Sequence, residues 1–380
     1  MQGVHEMEPC LLTAPHGDDE VLADPGHVPH QTVAEIWLAA QPSDAEIRQA
    51  RRRLHAKALF ISALVIVSYW VLVISDVTLA LRIVAACSLV IALVALATGV
   101  MHDANHGSFS SKPWLNRMAS LTSDALGASS WLWRVQHNLL HHGNTNVEGH
   151  DADLELAPFA RLAPTQPWHW WYRAQHIYIW PLYGFLTIKN LLVSDFVAII
   201  RRKIGQRTVR QPIRPRVIAG VALGKVSHIG WAFVLPLFFN PWQAVLIFYL
   251  AASWVVGFIL AVTFQLAHCV DIASVHGPQV DRRGESFVHH QLDTTVNVAC
   301  KAPVFDKFFR WLVGGLDHQI EHHLAPRLPH TIHAKVARRF QAGCALHHID
   351  YHLHPSLAAA LRSHQRWLHT MSHRQSGAAA

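Results

Sequence analysis

The chain has 380 residues and a formal net charge of +7, and 51% of its side chains are hydrophobic. Its length alone would allow two soluble domains, but long apolar segments dominate the sequence and exclude a soluble architecture. The five cysteines form no C-x-x-C pair, which argues against a disulfide framework or a cysteine zinc site. No basic module with interleaved aromatic residues is evident, so the charge does not predict nucleic acid as a partner.

The N-terminal segment, residues 1–57, precedes the first apolar run. It contains no basic stretch followed by a short apolar core and a small-residue cleavage site, so we predict no secretory signal peptide. We expect this segment to be cytoplasmic and partly disordered.

Four apolar segments are long enough to cross a membrane. A hydrocarbon core of about 30 Å requires about 20 residues of helix at about 1.5 Å per residue. Short turns join the first two segments and the last two, so the sequence predicts an all-α integral membrane protein with two transmembrane hairpins. The predicted spans are residues 58–75, 81–101, 217–239 and 242–266.

The distribution of basic residues predicts the orientation. Of the 32 Lys and Arg residues, 30 lie in segments 1–57, 102–216 and 267–380, which share one side of a four-span topology. Because basic residues collect on the cytoplasmic side, we expect both termini there, in a multi-pass protein of the bacterial inner membrane. Residues 58–350 then form one domain whose cytoplasmic cap contains 102–216 and 267–350, and residues 351–380 form a C-terminal tail.

One further apolar segment, residues 176–200, tests this topology. If it crossed the membrane, the histidine clusters on either side of it would face opposite compartments. Its interruptions by Pro181, Gly184, Lys189 and Asp195 instead favour one or two helices in the membrane interface. Residues 120–136 have the same character.

Three histidine clusters lie on the predicted cytoplasmic side. On a helix, positions i and i+4 share one face with β-carbons about 5 to 6 Å apart, which suits two ligands of a metal, and an adjacent histidine lies about 100° away. A further histidine ends the last apolar segment at the same depth. The candidate ligands are His102 and His106 in HDANH, His137, His141 and His142 in HNLLHH, His318, His322 and His323 in HQIEHH, and His268.

So many imidazoles at one level exceed the coordination number of a single ion, and the pattern therefore predicts two metal ions. Imidazole binds zinc, copper, iron and nickel, so ligand type leaves the element open. Metal storage would predict loose, repetitive histidine runs, whereas these clusters are spaced and follow span ends. Eight other histidines are expected to be solvated or hydrogen-bonded residues without a metal role: His169, His176, His330, His333, His347, His348, His352 and His354.

HDANH, HNLLHH and HQIEHH, in this order and with a hairpin of spans before the last, resemble the histidine boxes of the membrane fatty acid desaturases, within the superfamily of membrane desaturases and hydroxylases. The resemblance extends to residues 149–185 and 314–330 and covers about 55 to 350 of the chain. It implies that the two ions are iron. It also implies the ligands His102, His106, His137, His141, His142, His322 and His323, with His268 added by the last span.

The third box departs from the common H-x-x-H-H pattern, because Gln319 occupies its first position. This feature resembles the Q-x-x-H-H branch, which includes front-end desaturases and bacterial acyl-CoA or acyl-lipid desaturases. Either Gln319 binds metal through its amide oxygen or His318 takes its place. Asp103, Asp151, Asp153, Asp317 and Glu321 lie beside the boxes and are expected to accept hydrogen bonds from ligand imidazoles, although solvated helix charges explain them equally well.

The resemblance implies O2-dependent desaturation of the acyl chain of a fatty acyl-CoA or acyl-lipid at the cytoplasmic membrane face. A membrane di-iron hydroxylase is the alternative, since the two reactions share one oxidant. The sequence has no haem-binding H-P-G-G, no cysteine cluster and no nucleotide motif, so we expect the electrons to come from a separate protein. The resemblance implies that this donor is a ferredoxin or a flavin and iron-sulfur reductase. Basic residues near 201–216, with Arg338 and Arg339, are candidates to contact that partner or anionic membrane lipids.

Overall fold

The computed structural model describes residues 30–210, 212–279, 286–299 and 303–374 of the chain. Its α-helices are α1 (His30–Ala40), α2 (Asp44–Val73), α3 (Leu79–Ala95), α4 (His102–His106), α5 (Pro113–Ala125), α6 (Ser130–Trp133), α7 (Gln175–Tyr183), α8 (Leu186–Lys189), α9 (Asp195–Arg201), α10 (Pro215–Ile229), α11 (Leu235–Leu237), α12 (Trp242–His268), α13 (Phe287–Thr294), α14 (Pro303–Leu312), α15 (Gln319–Leu324), α16 (His330–Leu346) and α17 (Leu357–Ser372).

Shorter elements join these helices. The π-helical turns are Leu96–Met101, Arg134–His141, Asn190–Ser194 and Gly230–Val234, and the 3-10 turns are Ala152–Leu154 and Trp170–Ala174. Strands β1 (Lys203–Ile204) and β2 (Arg207–Thr208) pair antiparallel, and β3 (Asn297–Val298) and β4 (Leu353–His354) pair parallel.

Four helices have the length and apolarity to cross a membrane, which confirms the predicted all-α membrane architecture. They are Asp44–Val73, Leu79–His106, Pro215–Leu237 and Trp242–His268. The first begins well before residue 58, because Ser43 and Glu46 form a capping box that starts the helix before its basic stretch. The second continues through a π-helical turn and carries the first histidine box at its end.

The N-terminal segment is more ordered than the sequence indicates, where the structure describes it. Helix α1 packs against α16, with the rings of Trp37 and Phe340 5.1 Å apart in an edge-to-face contact. Val33 and Ile36 join the same buried apolar cluster. Residues 30–40 and 44–57 are therefore helical, and the expected disorder concerns residues 1–29, which lie outside the described residues.

The apolar segment at 176–200 forms two helices bent by 78° rather than a straight span. At the bend, Trp254 of α12 donates from Nε1 to the carbonyl oxygen of Pro181 at 3.0 Å, and a Cβ on Gly257 would lie 2.5 Å from the Gly184 oxygen. Trp254 lies about 20 Å from either end of α12 at about 1.5 Å per residue. The bend therefore reaches the middle of a span, deeper than interface helices would lie.

Both limbs of this bent pair return to the side that carries the histidine boxes. At the start of α7, Gln175 donates to Leu368 of α17, and beyond the bend Ala198 packs with Leu132 and Val135 beside the second box. The pair α7–α9 is thus a re-entrant hairpin, which leaves the boxes on one side of the four spans.

Residues 351–374 differ from the expected tail, since α17 packs against α7 and α12. His364 lies 2.7 Å from the carbonyl oxygen of Cys269 and 2.9 Å from the Tyr183 hydroxyl, and Leu368 is buried. Apolar burial on one face of α17 attaches it to the domain, which extends beyond residue 350 where the structure describes it.

Candidate metal centre

The second histidine box lies on a π-helical turn, Arg134–His141, rather than on an α-helix. The amide of His142 donates to the carbonyl of His137 at 3.0 Å, the i to i−5 bond that defines this geometry. Because a π-helical turn is wider than an α-helical one, positions i, i+4 and i+5 fall on one face. His141 and His142 therefore lie on either side of the direction of His137, with ring centroids 5.2 and 4.8 Å from that of His137.

The three boxes and His268 converge into two groups of imidazoles. In one, the cavity group, ligand atoms of His102, His106, His137 and His322 lie within 4.8 Å of one another. In the other, the cap group, those of His141, His268 and His323 do the same.

His142 lies between these groups. Its Nε2 is 3.2 Å from the Nε2 of His137, and its ring centroid is 4.2 Å from that of His323. Two imidazole nitrogens bound to one ion at about 2.1 Å are roughly 3.0 to 3.4 Å apart, so the 3.2 Å separation fits neighbouring ligands of one ion.

The buried ring nitrogens of the two groups have the properties of metal ligands. Six Nε2 atoms are buried and have no hydrogen-bond partner among the described residues: those of His102, His106, His141, His268, His322 and His323. Leaving so many polar atoms unsatisfied in a protein interior is costly, so their convergence indicates an ion as the common partner. The donor set of neutral nitrogens fits a transition metal such as iron or zinc.

The pKa values of most of these histidines also suit metal binding. Burial and the neighbouring imidazoles hold the pKa of His137, His142, His322 and His323 well below the usual value, so their lone pairs are free. His141 differs, because burial lowers its pKa but the carboxylates of Asp151 and Asp153 outweigh burial and raise it to about 9. Those carboxylates hold the proton on Nδ1, and an ion bound at Nε2 would displace the second proton.

Hydrogen bonds to Nδ1 orient the whole cap group. The Nδ1 of His141 lies 3.0 Å from Asp151 and 3.5 Å from Asp153. The Nδ1 of His323 lies 3.1 Å from the Thr145 hydroxyl, and that of His268 lies 3.4 Å from the carbonyl oxygen of Thr294. Such partners fix the ring orientation and point Nε2 into the centre.

Asp103 is hydrogen-bonded to a histidine outside the three boxes rather than, as was expected, to a ligand imidazole. It accepts a hydrogen bond from His330, with Nδ1 at 3.0 Å, while the His102 Nδ1 is 3.9 Å away. His330 also lies 3.0 Å from the Nζ of Lys57, and the ring of His333 is 5.9 Å from that of His322. His330 and His333 are therefore buried next to the centre rather than ordinary loop residues, and their HxxH spacing on α16 was the available signal.

Neither acidic residue of the third box contacts the two imidazole groups in the described chain, and the ligand candidate near Asp317, His318, belongs to neither group. Asp317 pairs with Arg310 at 2.8 Å and lies 3.5 Å from His318. Glu321 accepts hydrogen bonds from Asn297 and Tyr351, each at 2.8 Å. Both carboxylates point away from the imidazole groups and hold the loop and helix of the third box, and burial raises the pKa of Glu321.

The structure describes both alternatives for the first ligand of the third box, Gln319 and His318. His318 precedes α15 and belongs to neither imidazole group in the described chain. Gln319 is fully buried, with an Nε2 that has no hydrogen-bond partner there. Both ring nitrogens of His318 likewise have no hydrogen-bond partner among the described residues, so the choice between Gln319 and His318 stays a prediction.

An apolar cavity of about 350 Å³ opens beside the cavity group. His102, Trp133 and Phe264 line one end of it, and Arg82 and Asn240 line the other. Since Arg82 and His102 are at opposite ends of the second span, the cavity extends through most of the membrane thickness. Its walls are aliphatic and aromatic, and their shape suits a long hydrocarbon chain.

The fold and this site define an all-helical membrane protein with buried histidines arranged for metal ions. The chain belongs to the fatty acid desaturase family, whose sequence model matches residues 78–355. It is accordingly an oxidoreductase of the desaturase type, as the histidine boxes indicate.

Three relatives illustrate the relationship. The sn-1 linoleoyl-lipid 6-desaturase of Synechocystis sp. is 32% identical over 324 residues, which cover 83% of this chain and 88% of the relative. The enzyme of the same name from Arthrospira platensis is 28% identical over 324 residues, 84% of this chain and 86% of its own. The acyl-lipid (8-3)-desaturase of Physcomitrium patens is 32% identical over 269 residues, 70% of this chain and 55% of its own.

Proposed function

We propose that this protein introduces a double bond into the acyl chain of a membrane lipid, using O2 and a histidine-ligated pair of iron ions at the cytoplasmic membrane face. The observation that supports it is the position of His102, which belongs to the cavity group and also lines the apolar cavity. A hydrocarbon chain in that cavity would therefore meet the metal site directly.

His102, His106, His137 and His322 would hold one ion, and His141, His268 and His323 the other, with His142 between them. When bound, the two irons supply the oxidising chemistry that no amino-acid side chain can perform on an unactivated methylene. The protein orients the chain, excludes water with apolar walls and fixes the imidazole tautomers through Asp151, Thr145 and the carbonyl of Thr294.

For the substrate we infer an acyl-lipid in preference to an acyl-CoA. The names of the three relatives describe lipid-linked acyl chains. An apolar cavity enclosed by spans suits a chain that already resides in the bilayer, since its transfer requires little further desolvation.

Electrons are proposed to come from a separate acidic carrier, a ferredoxin or a flavin and iron-sulfur reductase. Removing two hydrogens while reducing O2 to two waters consumes two external electrons and two protons. The β1–β2 hairpin presents Lys203 and Arg207, and its Ile204 packs with Val135, two residues before the second box. A basic surface so close to the metal site is suited to an acidic donor. Of the other candidates, Arg339 already pairs with Glu46 at 2.7 Å.

The proposed orientation places both termini and all three boxes in the cytoplasm of a bacterial cell. In a background without accessible native cysteines, a cysteine at exposed Asp76 should react with an impermeant reagent added to intact cells. Cysteines at exposed Gln206 or Leu346 should react only after lysis. Labelling of Gln206→Cys in intact cells would contradict this orientation.

Product analysis tests the reaction itself. Membranes containing the protein, supplied with an isotope-labelled acyl-lipid, an electron-donor system and O2, should yield a labelled alkene by mass spectrometry. The purified protein should contain about two irons per chain, as two groups of imidazoles require. An alcohol as the main product would instead identify a hydroxylase, and zinc alone after growth with ample iron would contradict the metal assignment.

A further inference from the structure

A buried ion pair connects the third span to the re-entrant hairpin. The Nζ of Lys225, on α10, lies 2.6 Å from Oδ2 of Asp195, on α9, and both side chains are about 90% buried, with 10% and 8% exposed. The same ammonium donates to the carbonyl oxygens of Gly127 at 2.5 Å and Asn190 at 3.0 Å. Charged groups within a span are expensive, and this pair is therefore expected to have a specific role.

The carboxylate of the pair also contacts the start of the second histidine box. Oδ2 of Asp195 accepts a hydrogen bond from the backbone amide of Ser129 at 2.9 Å. Ser129 is the N-cap of α6, and its hydroxyl accepts from the amide of Leu132 at 3.3 Å. Asp195 thus fixes the residue at which the helix of the second box begins.

From that cap the helix runs without a break into the metal site. Trp133, in the last position of α6, packs on three imidazoles of the cavity group, with ring centroids 4.3 Å from His137, 5.4 Å from His106 and 5.6 Å from His102. The π-helical turn with His137 and His141 follows directly. At about 1.5 Å per residue, Ser129 lies about 12 Å from His137 along this helix.

We propose that Lys225 and Asp195 are positioning residues for the second histidine box. The ammonium fixes the carboxylate, the carboxylate fixes the N-cap of α6, and the helix that begins there sets the depth and rotation of His137, His141 and His142. This inference rests on the proposed metal function of those histidines. The pair touches none of the imidazoles, and its effect is transmitted through the helix.

The decisive variant replaces both charges at once. Lys225→Met or Asp195→Leu alone leaves one buried charge without its partner and is expected to reduce folding yield. The double variant Lys225→Met with Asp195→Leu removes that difficulty but also removes the acceptor of the Ser129 amide. The conservative variant is Lys225→Met with Asp195→Asn, which removes both charges together and retains an oxygen acceptor for the Ser129 amide.

Hydrogen exchange of the metal-free protein in detergent gives a readout that does not depend on activity. In the double variant, the peptide covering residues 126–142 should exchange about tenfold faster, whereas peptides of α16 should be unchanged. Anaerobic titration with Fe²⁺ should show affinity reduced about tenfold, the lower end of effects seen when groups that orient ligands are lost. Lys225→Met with Asp195→Asn should stay within about twofold of the parent protein in both measurements.

Trp254→Phe is the matched control. It removes the hydrogen bond from α12 to the re-entrant hairpin but leaves Ser129 and its acceptor in place. Its 126–142 peptide should exchange as in the parent protein. The proposal is overturned if the double variant keeps parent-like exchange and Fe²⁺ affinity, or if all helices loosen equally. Because exchange is measured without metal, a failed desaturase assay would leave this result interpretable.

Discussion

The two imidazole groups are supported in different ways. In the cap group, each Nδ1 has an oxygen within hydrogen-bond reach: Asp151 for His141, Thr145 for His323 and the Thr294 carbonyl for His268. In the cavity group, neither nitrogen of His102 has a hydrogen-bond partner among the described residues, and its ring lies among other imidazoles and 5.6 Å from the ring of Trp133.

This difference follows from what each group faces. The cap group lies within a polar network, and its ring orientations are fixed before any ion binds. The cavity group lies beside an apolar chain site, where additional polar partners would bring water and reduce the room for substrate. The comparison therefore predicts that side-chain changes around the cap group act through metal binding, and changes around the cavity act through substrate.

The largest effects are expected when an imidazole is removed from either group. His102→Ala, His141→Ala and His322→Ala should each lower turnover more than about 100-fold, since even partners that only orient ligands affect activity by about 10- to 100-fold. Membrane insertion should be unchanged, because helix-end histidines contribute little to span hydrophobicity. Product formation and iron content per chain are the measurements.

His347→Ala provides the control, because this histidine is exposed beyond α16 and should be replaceable without effect. If His102→Ala, His141→Ala or His322→Ala kept parent-like turnover, that residue would not be a ligand, and the division into two groups would need revision.

The next effect distinguishes the two carboxylates near His141. Asp151→Asn should lower iron content and turnover by about 10- to 100-fold, because the amide cannot accept the Nδ1 proton as the carboxylate does. Asp153→Asn should cost less, since Asp153 is 3.5 Å from His141 and its side chain is 33% exposed. Metal analysis of both proteins gives the comparison, and equal losses would show that Asp151 has no special role.

Much of this architecture was predictable from local sequence patterns. The four spans follow from apolar runs, and the boxes follow from histidine spacing at span ends, because both signals are contained in short segments. The π-helical geometry of the second box was not predictable, since it depends on how Arg134–His141 fits against the other boxes.

Long-range contacts account for the other differences. His330 contacts Asp103 across 227 positions of sequence, and no local pattern states that pairing. The depth of the re-entrant hairpin depends on the close contact of Gly184 with Gly257 and Trp254 of α12. This contact forms only when the two helices pack, so no local sequence pattern predicts it. Glu321 was misassigned because adjacency to His322 along the chain does not give the direction of its side chain, which points to Asn297.

A smaller and more selective effect is expected within the cavity. Ala252 of α12 is 8% exposed and lines the cavity near mid-span. Ala252→Phe should reduce kcat/KM for long acyl chains by about tenfold, corresponding to about 1.4 kcal/mol, while shorter chains and iron content change little.

The adjacent Ala251 is exposed on the outer face of the same helix and allows a matched substitution. Ala251→Phe adds the same ring where lipid would surround it and should leave kinetics unchanged. If Ala252→Phe reduced kcat/KM equally for all chain lengths, or if Ala251→Phe caused an equal loss, the cavity would not be the site that binds the acyl chain.

The smallest effect is expected on the cap side, at the basic β1–β2 hairpin. Reversing charge with Arg207→Glu and Arg210→Glu should lower turnover about three- to tenfold when the donor protein is limiting, because an acidic carrier would associate more slowly. Turnover should recover at saturating donor, and its dependence on ionic strength should flatten. Steady-state kinetics at varied donor and salt concentrations measure both.

Contacts with anionic lipid head groups explain the same arginines equally simply, so the kinetic pattern has to separate the two roles. Arg362→Glu on α17 is the control, because it reverses one positive charge in the same way at another exposed position. If Arg207→Glu and Arg210→Glu left donor kinetics unchanged and altered membrane insertion, the hairpin would bind lipid, and the donor would have to approach the cap group from another surface. If turnover instead fell at limiting donor only, the polar network around His141 would be the side on which electrons arrive, opposite the side on which the acyl chain is bound.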